Sequence, residues 1–309
     1  MNKTLREFRQ LTWDSALADS TLRVIELAKS EDLGDWGDLT TRATVPPSAR
    51  GVVEYRARKA GVVAGVETLG IAARIYDPDL SVTLETGDGE LVEAGTLIAR
   101  LKGDARSILA VERPSLNLLS RLSGIASMTR ERVDRIAHTR CRLYDTRKTT
   151  PGLRLLEKFA VRCGGGHNHR TGLFDGILIK DNHLALGGEG GEPLSPSAAI
   201  RRARKFTEES QWPAGAPPII EVEVDSIEQL IDALHERPDI VLLDNFNVAQ
   251  LREAVLLRDK QAPAVELEAS GGIGDSTLVE LAETGVDRLS MGALTHSAVQ
   301  LDIGLDWVG

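Results

Sequence analysis

The chain has 309 residues, 42% of them apolar and 27% charged, which is typical of a globular protein with a real core and room for about two domains. A net charge of −9 argues against a nucleic-acid-binding surface, and no apolar run is long enough to cross a membrane. The charged N-terminus does not read as a signal peptide, and two cysteines exclude a disulfide framework. These features predict a cytoplasmic protein with neither a membrane nor a nucleic-acid partner.

The first hundred residues are expected to form a mixed domain of helices and antiparallel strands. Residues 1–30 read as helix, and residues 51–58 alternate as a half-buried strand does. Two further β-like stretches, 80–86 and 96–101, are separated by turn signals rich in glycine. This pattern is typical of an α/β sandwich.

The stretch from about 105 to 137 has a helical pattern, for which we predict breaks at Pro114 and Gly124. A residue that precedes proline is biased away from the α region. A helix boundary at this point is therefore expected to place Arg113 outside the regular helical ladder.

After residue 140, short apolar runs alternate with helical segments, which predicts a parallel sheet flanked by helices. The apolar runs are 142–144, 176–179, 218–224, 240–243, 264–269 and 286–290, and the helical segments are 151–163, 196–209, 226–236, 247–259 and 275–284. Six or seven such units in about 170 residues favour a short α/β barrel. An open doubly wound sheet is the alternative.

Each predicted strand of the second half ends in polar residues or glycines. The clusters are Asp145-Thr146-Arg147-Lys148, Lys180-Asp181-Asn182-His183, the alternating Glu221, Glu223 and Asp225, Asp244-Asn245, Ser270-Gly271-Gly272-Ile273-Gly274 and Met291-Gly292-Ala293. The carboxyl ends of barrel strands form the active-site mouth in enzymes of this architecture. Six such ends in succession predict one site at this edge.

The charges of these clusters indicate an anionic ligand. Between Arg140 and Lys180 there are nine Lys/Arg residues and three acids, although the whole chain is acidic. Converging cations need an anion to neutralise them, and guanidinium groups match carboxylate or phosphate oxygens. Carboxylates facing bound phosphates usually hold Mg²⁺ or ribose hydroxyls, and glycine turns present N–H groups to phosphate. The composite is a small carboxylate plus a phosphorylated sugar with Mg²⁺.

Competing sites fit the sequence less well. There is no Gly-Lys pair for a P-loop, and no G-x-G-x-x-G follows a predicted strand. A zinc site built from Cys163, His167 and His169 would lack the usual ligand pairing and would lie among cations. Both cysteines are expected in the core, and His169 beside Arg170 is expected to donate to an anion.

In these clusters the sequence resembles the quinolinate phosphoribosyltransferase family, also called nicotinate-nucleotide pyrophosphorylases (carboxylating). The motifs that carry the resemblance are 112–117 (Glu-Arg-Pro-Ser-Leu-Asn), 145–152 (Asp-Thr-Arg-Lys-Thr-Thr-Pro-Gly), 164–170 (Gly-Gly-Gly-His-Asn-His-Arg), 178–183 (Leu-Ile-Lys-Asp-Asn-His), 242–245, 269–272 and 292–297. The likeness runs from about residue 17 to 307, and several long motifs occur in the family's order.

The resemblance implies that quinolinate and phosphoribosyl pyrophosphate react to give nicotinate mononucleotide, pyrophosphate and CO₂, in de novo NAD biosynthesis. It implies catalytic roles for Lys148, Glu223 and Asp244, with the two acids also facing Mg²⁺, directly or through water. The expected substrate contacts are made by Arg113, Thr146, Arg147, Lys148, His169, Arg170, Lys180, Glu223, Asp244, Ser270, Gly271, Gly272, Met291, Gly292 and Ala293. Of these, the last six are expected at the 5′-phosphate, and the arginines, His169 and Lys180 at the quinolinate carboxylates.

The resemblance also implies an N-terminal α/β sandwich domain (1–112), on which the tail 297–309 packs, and a C-terminal incomplete, seven-stranded-type α/β barrel (113–296). It implies a homodimer or a hexamer in which Arg113 of a neighbour completes each site. Stretches 187–193 and 211–218 look like insertions in loops near the barrel rim.

Two rival functions remain open at this stage. One is the paralogous phosphoribosyltransferase associated with molybdate transport, and the other is a non-catalytic barrel that binds phosphorylated sugars. The complete Asn168-His169-Arg170 and Lys180–His183 motifs favour the quinolinate enzyme. Retention of every cation and of both carboxylates weighs against the silent barrel.

Overall fold

The computed structural model describes residues 6–188, 190, 192–212 and 217–308. Parts of both predicted loop insertions, at 189, 191 and 213–216, therefore lie outside the described residues. In chain order the elements are α1 (Ser15–Leu33), α2 (Leu39–Thr44), β1 (Arg50–Ala57), β2 (Gly61–Val62), α3 (Glu67–Tyr76), β3 (Ser81–Leu84), β4 (Leu91–Val92), β5 (Leu97–Asp104), α4 (Ala105–Ile136), β6 (Arg142–Tyr144), α5 (Arg154–Cys163), β7 (Ile177–Ile179), α6 (Asp181–Gly187), α7 (Pro196–Glu209), β8 (Ile220–Val224), α8 (Ile227–Glu236), β9 (Ile240–Asp244), α9 (Val248–Gln261), β10 (Glu266–Ser270), α10 (Leu278–Ala282), β11 (Arg288–Ser290), α11 (Ala293–His296) and β12 (Ile303–Trp307). None of the described helices is long and apolar enough to span a membrane.

Contacts divide the chain into two compact units. The antiparallel-sheet unit contains Leu11–Glu131, Lys148–Gly166 and 293–308, and the parallel-sheet unit contains 6–10, Arg132–Arg147 and His167–Gly292. These ranges interleave along the chain. The sequence boundaries 1–112 and 113–296 remain a prediction.

The antiparallel-sheet unit is built on a four-stranded sheet in the order β12-β1-β5-β3, in which every pair is antiparallel. The tail strand β12 pairs with β1 over five positions, from Val53 opposite Trp307 to Ala57 opposite Ile303. Helix α1 begins at an N-cap, Asp14, whose carboxylate accepts the N–H of Leu17. The mixed helix and strand pattern predicted for the first hundred residues is confirmed, but the helix predicted over residues 1–30 is wrong for residues 6–14, because α1 begins only after the Asp14 cap.

Helix α4 runs without a break from Ala105 to Ile136, so the predicted breaks at Pro114 and Gly124 are wrong. Arg113 therefore lies inside the helical ladder rather than outside it. Proline within a helix costs about 3 kcal/mol, because it removes one hydrogen bond and crowds the preceding turn. The helix offsets this cost by burying a long apolar stripe, whose members include Ile108, Leu119, Leu122 and Ile125.

The parallel-sheet unit contains one six-stranded sheet in the order β6-β11-β10-β9-β8-β7, and all its pairs are parallel. On the edge of β6 that faces away from β11, Tyr144 forms a parallel bridge with His167. His167 thus occupies a seventh strand position. In the described part of the chain no strand pairing joins His167 to β7, as expected of an incomplete seven-stranded-type barrel. The predicted fold class is confirmed.

Helix caps in this unit follow the sequence signals in most cases. Ser195 caps α7 with Pro196 at its first position, and Asn247 and Gln250 form a capping box at α9. Ser226 caps α8, where the Gln229 side chain accepts from the N–H of Asp225 instead of completing a box.

The register of the parallel sheet gives its two faces opposite character. One face is apolar and buried, with Leu143, Val222, Val224, Val241, Leu243, Leu267, Ala269 and Leu289. The other face, which we call the polar face, carries Arg142, Tyr144, Leu178, Glu221, Glu223, Ile240, Leu242, Asp244, Glu266, Glu268, Ser270, Arg288 and Ser290. Charged residues therefore line the side of the sheet that a barrel of this type encloses.

Candidate active site

The amino end of the polar face is held by ion pairs that are buried at Arg288 and Glu266 and partly exposed at Arg142 and Glu7. Arg288 is fully buried, and its Nε lies 2.8 Å from Glu266, which also pairs with Arg142. Glu7 pairs with Arg142 and accepts the Tyr144 hydroxyl at 2.9 Å. Because each of these charges has an opposite charge in contact, the desolvation penalty of burying them is offset.

On the same face, His169 lies against two fully buried carboxylates. Its Nε2 is 3.0 Å from Glu221 and 3.6 Å from Glu268. Burial, and then the neighbouring charge of Glu221, raises the pKa of Glu268 well above its usual range. Glu268 therefore stays protonated to a higher pH than an ordinary glutamate.

These three residues have a donor set that could hold a metal ion, since their ligand atoms lie within 4.8 Å of one another. The second ring nitrogen of His169 argues against that use. Nδ1 accepts the backbone N–H of Arg170 at 2.8 Å, so it bears the lone pair and the ring proton is on Nε2. A histidine bound to metal through Nε2 would need a proton on Nδ1 instead. The geometry thus fixes a neutral ring whose Nε2 bears the proton and lies beside the two carboxylates.

The turn 167–170 is tied to the end of strand β6 by Asp145, which is fully buried. Its two carboxylate oxygens accept the backbone N–H of His169 at 2.9 Å and the Asn168 side-chain amide at 2.6 Å. Its own N–H donates to the carbonyl of His167 at 3.0 Å. Asp145 therefore positions His169 and the two residues that precede it, a role that charge counting along the sequence did not reveal.

Arg170 follows this turn and is buried, with its guanidinium 3.2 Å from the carbonyl of Gly176. Burial, together with the nearby positive charge of Arg147, lowers the pKa of Arg170. Two guanidinium groups that disfavour each other in a desolvated position form a ready site for an anion. Arg147 follows Asp145-Thr146 directly, so three of the predicted carboxylate-binding residues, Arg147, His169 and Arg170, belong to one local cluster, and Thr146, predicted to contact substrate, is next to Arg147 in sequence.

Lys180 caps the start of α6, and its ammonium group forms an ion pair with Glu223 at the end of β8. The side chain of Lys180 is 43% exposed and that of Glu223 is 13% exposed, so the pair opens toward solvent. Lys180 is expected to bind quinolinate, and Glu223 is expected to face the ribose. The two side chains are therefore in contact with each other before either substrate binds.

The next strand ends present the other predicted residues. Asp244, opposite Ser270 in the register, accepts the side-chain amide of Asn245 at 2.8 Å. Gly271 and Gly272 both have positive φ, at 90° and 60°, and a Cβ on Gly271 would lie 2.1 Å from Asn245 Oδ1. Only glycine fits at Gly271, which leaves the backbone free for a close approach by a phosphate.

A cavity of about 280 Å³ lies beside Glu223 and Asp244, and Asp181 and Asp225 also line it. Oxygen donors from several carboxylates are the ligands that Mg²⁺ prefers. The residues present therefore fit the predicted magnesium site.

The remaining predicted residues are divided between the units. Met291 is buried, its N–H donates to the Tyr144 carbonyl at 2.9 Å, and Gly292 follows it. Lys148, Ala293 and Arg113 belong to the antiparallel-sheet unit. There the carbonyl of Lys148 accepts the Thr295 hydroxyl at 2.7 Å, and the guanidinium of Arg113, 67% exposed, lies 3.3 Å from Glu112.

Sequence reasoning missed the buried half of the site. Glu266, Glu268 and Arg288 alternate with apolar residues in their strands. This alternation could have predicted that they share one face of the sheet with Glu221 and Glu223. Residues 6–10, which also contact this face, are too short a segment to show any periodicity.

The chain matches two family models. Residues 38–123 match the quinolinate phosphoribosyl transferase N-terminal domain, and residues 125–306 match the C-terminal domain of the same family. A nicotinate-nucleotide pyrophosphorylase [carboxylating] of Mycobacterium leprae is 44% identical over 93% of this chain and 97% of its own. A probable enzyme of the same name from Bacillus subtilis is 41% identical over 89% of each chain.

Solved structures give the same result. The nicotinate-nucleotide pyrophosphorylase of Francisella tularensis superposes with a TM-score of 0.85 at 32% identity, covering 99% of this chain and all of the other. NadC of Streptococcus pyogenes superposes with a TM-score of 0.83 at 35% identity, covering 97% of this chain and all of the other.

Proposed function

The chain belongs to the quinolinate phosphoribosyltransferase family, and on this basis we propose that it joins quinolinate to phosphoribosyl pyrophosphate. The products are nicotinate mononucleotide, pyrophosphate and CO₂, and the pathway is NAD biosynthesis. The turn 167–170, held by Asp145, places the buried Arg170 near Arg147, and we call this turn together with Arg147 the cationic turn. The observation that carries the proposal is the combination of the cationic turn with acids and glycine turns on neighbouring strand ends. Neither rival function accounts for the relatives from Mycobacterium leprae, Bacillus subtilis and Francisella tularensis, which carry the name nicotinate-nucleotide pyrophosphorylase.

The cationic turn would hold the dicarboxylate. Arg147 and Arg170 supply charge in a desolvated position, where hydrogen bonds to carboxylates are strong. Lys180 would join them once a substrate carboxylate replaces Glu223 as its partner. A pyridine ring held by its two carboxylates can aim its nitrogen at the ribose in one orientation only.

Transfer begins when the ring nitrogen attacks C1 of the ribose, and the bond from C1 to the pyrophosphate oxygen breaks. Positive charge develops on the ribose, where Glu223 and Asp244 would stabilise it. The two glycine turns, Ser270-Gly271-Gly272 and Met291-Gly292-Ala293, would hold the 5′-phosphate, and Lys148 would contact the phosphoribosyl group. Mg²⁺ held by Glu223 and Asp244 would neutralise charge on the pyrophosphate as it leaves.

Decarboxylation needs no further cofactor. After transfer the pyridinium ring is cationic, so the electron pair of the broken bond to CO₂ enters the ring, and a proton replaces the lost carboxyl group. The protein need only hold the ring while the bond breaks. This step explains why the site has to fix the orientation of the two carboxylates.

The proposal includes a homodimer or hexamer with shared sites and a cytoplasmic location. Arg113, exposed on α4, would reach the quinolinate of a neighbouring subunit. Mixing Arg113→Ala with Lys180→Ala protein would then restore activity, because some hybrid sites are intact. Mixed oligomers that stay inactive would assign Arg113 to its own chain.

The direct test is an assay of the purified protein with quinolinate, phosphoribosyl pyrophosphate and Mg²⁺, which scores nicotinate mononucleotide and CO₂. Nicotinate in place of quinolinate is the control, and it should give no product. A folded protein that turns over neither compound would refute the proposed function. Chelation of Mg²⁺ should abolish turnover, and full activity in excess chelator would remove the metal from the proposal.

A further inference from the structure

Residues 6–10 form a short arm that lies across the amino ends of the parallel strands, opposite to the proposed substrate site. Arg6 pairs at 3.0 Å with Asp239, just before β9, and Glu7 contacts Arg142 at the start of β6. The Phe8 ring packs with Ile219 and Ile240, at the starts of β8 and β9. This arm, which we call the N-terminal arm, thus closes the amino end of the polar face.

The N-terminal arm reaches the site through Phe8. Its ring is only 4% exposed and stacks on the His169 ring, with centroids 4.5 Å apart and planes inclined by 30°. Behind it, a Cβ on Gly176 would lie 2.7 Å from Phe8 Cε1, so the ring fits closely against the backbone that precedes β7. With Glu221 beside Nε2 and the Arg170 N–H on Nδ1, the stack leaves His169 one orientation.

Gln10 provides a second contact with the same turn. Its side-chain amide donates to the carbonyl of Asn168 at 2.9 Å and accepts the Asn168 N–H at 2.8 Å. A bidentate amide contact of this kind holds a backbone as a paired strand would. Since Asp145 grips the Asn168 side chain, the turn before Arg170 is fixed from two directions.

From these contacts we propose that Phe8 and Gln10 are positioning residues for the dicarboxylate half of the site, acting through His169 and Asn168 on Arg170. This inference rests on the proposed function. Neither residue lies at the carboxyl ends of the strands, so neither acts as a catalytic residue. Their loss should weaken quinolinate binding without disturbing phosphoribosyl pyrophosphate, whose expected contacts, apart from Lys148, lie on β8 and β9 and at the ends of β10 and β11.

The kinetic test uses Phe8→Ala, Phe8→Leu and Gln10→Ala, with Arg6→Ala as the matched control from the same arm. Arg6 is exposed and pairs away from the 167–170 turn. We expect Phe8→Ala and Gln10→Ala each to raise KM for quinolinate about tenfold, the equivalent of one lost charge-assisted contact. The KM for phosphoribosyl pyrophosphate and kcat should stay within about twofold, and Phe8→Leu should recover part of the loss.

A second measurement keeps the idea testable if a variant unfolds. In the wild-type protein, NMR of the His169 ring should show a proton on Nε2, a bare Nδ1 and ring protons shifted upfield by the Phe8 ring. Phe8→Leu should remove that upfield shift. A His169 ring with its proton on Nδ1, or unchanged quinolinate KM in both folded variants, would overturn the inference.

The two failures can be told apart. If the wild-type protein makes no nicotinate mononucleotide, the proposed function fails, whereas the ring NMR still reports whether Phe8 and Arg170 hold His169. If the wild-type protein is active and the folded variants have the same quinolinate KM as the wild type, the inference fails but the proposed function stands.

Discussion

Replacing Glu223 with glutamine should weaken catalysis and yet tighten the binding of quinolinate to the free protein. Glu223 forms an ion pair with the ammonium group of Lys180, and the dicarboxylate is expected to bind this same group. Any quinolinate that uses Lys180 must first break this ion pair. Glutamine keeps the size of the side chain and removes the competing charge.

The size of the effect follows from the exposure of the pair. With Lys180 43% exposed and Glu223 13% exposed, the pair is solvent-screened on one side and should contribute about 0.5–1 kcal/mol. Removing it should lower the Kd of quinolinate about two- to fivefold. Turnover should fall much further, because Glu223 is expected to face the charge that develops on the ribose.

Calorimetric titration of quinolinate into protein free of phosphoribosyl pyrophosphate measures the first effect, and steady-state kinetics measure the second. Asp225→Asn is the matched control, since Asp225 is an exposed acid two residues further along the same strand end. Loss of negative charge alone should affect both variants alike. Weaker quinolinate binding by Glu223→Gln than by wild type would refute the competition between the two partners.

Three further changes test other parts of the structure. Asp145→Asn should cost about 1–3 kcal/mol in unfolding free energy and lower quinolinate affinity, because a buried acceptor of two N–H groups is altered; equal urea midpoints for variant and wild type would contradict this. Gly124→Ala should destabilise by about 1–3 kcal/mol, since its Cβ would lie 2.1 Å from the Val299 carbonyl, whereas Gly70→Ala on α3, where the Cβ would meet the Arg74 side chain at 3.8 Å, should stabilise by about 0.4–1 kcal/mol. Burial and the charge of Glu221 raise the pKa of Glu268 from 4.5 to about 7, so its contribution to stability is present at low pH and lost as the pH rises through that interval. The unfolding temperature of Glu268→Gln should therefore fall less between those pH values than that of wild type, and parallel curves would count against a protonated Glu268.

The strands and helices of the second half could be predicted because their signals are local. Apolar runs bounded by glycine and capping residues placed β6, α7 and β9 within a residue or two of their observed bounds. The same local reasoning was wrong for α4. Proline and glycine signal a break only when packing does not oppose them, and the buried stripe of that helix is a tertiary property.

The candidate site was predictable in its outer part and not in its inner part. Polar residues at strand ends stand out against apolar runs, which is why Lys180, Glu223 and Asp244 could be singled out. The contacts of Phe8 with His169, and of Gln10 with Asn168, join residues about 160 positions apart and follow no periodic rule. The roles assigned to the site residues themselves remain predictions.

The polar face of the parallel sheet restricts how this protein can change over generations. Glu266 serves both Arg142 and Arg288, so replacing Glu266 leaves the fully buried Arg288 without its close carboxylate partner, a loss of about 3–5 kcal/mol. The free-energy loss from this single substitution is therefore close to the whole free energy of unfolding of a marginally stable domain. Replacing the entire set with apolar residues could be neutral. Inherited variation at these positions should arrive in matched groups, while residues on the exposed helices are free to drift one at a time.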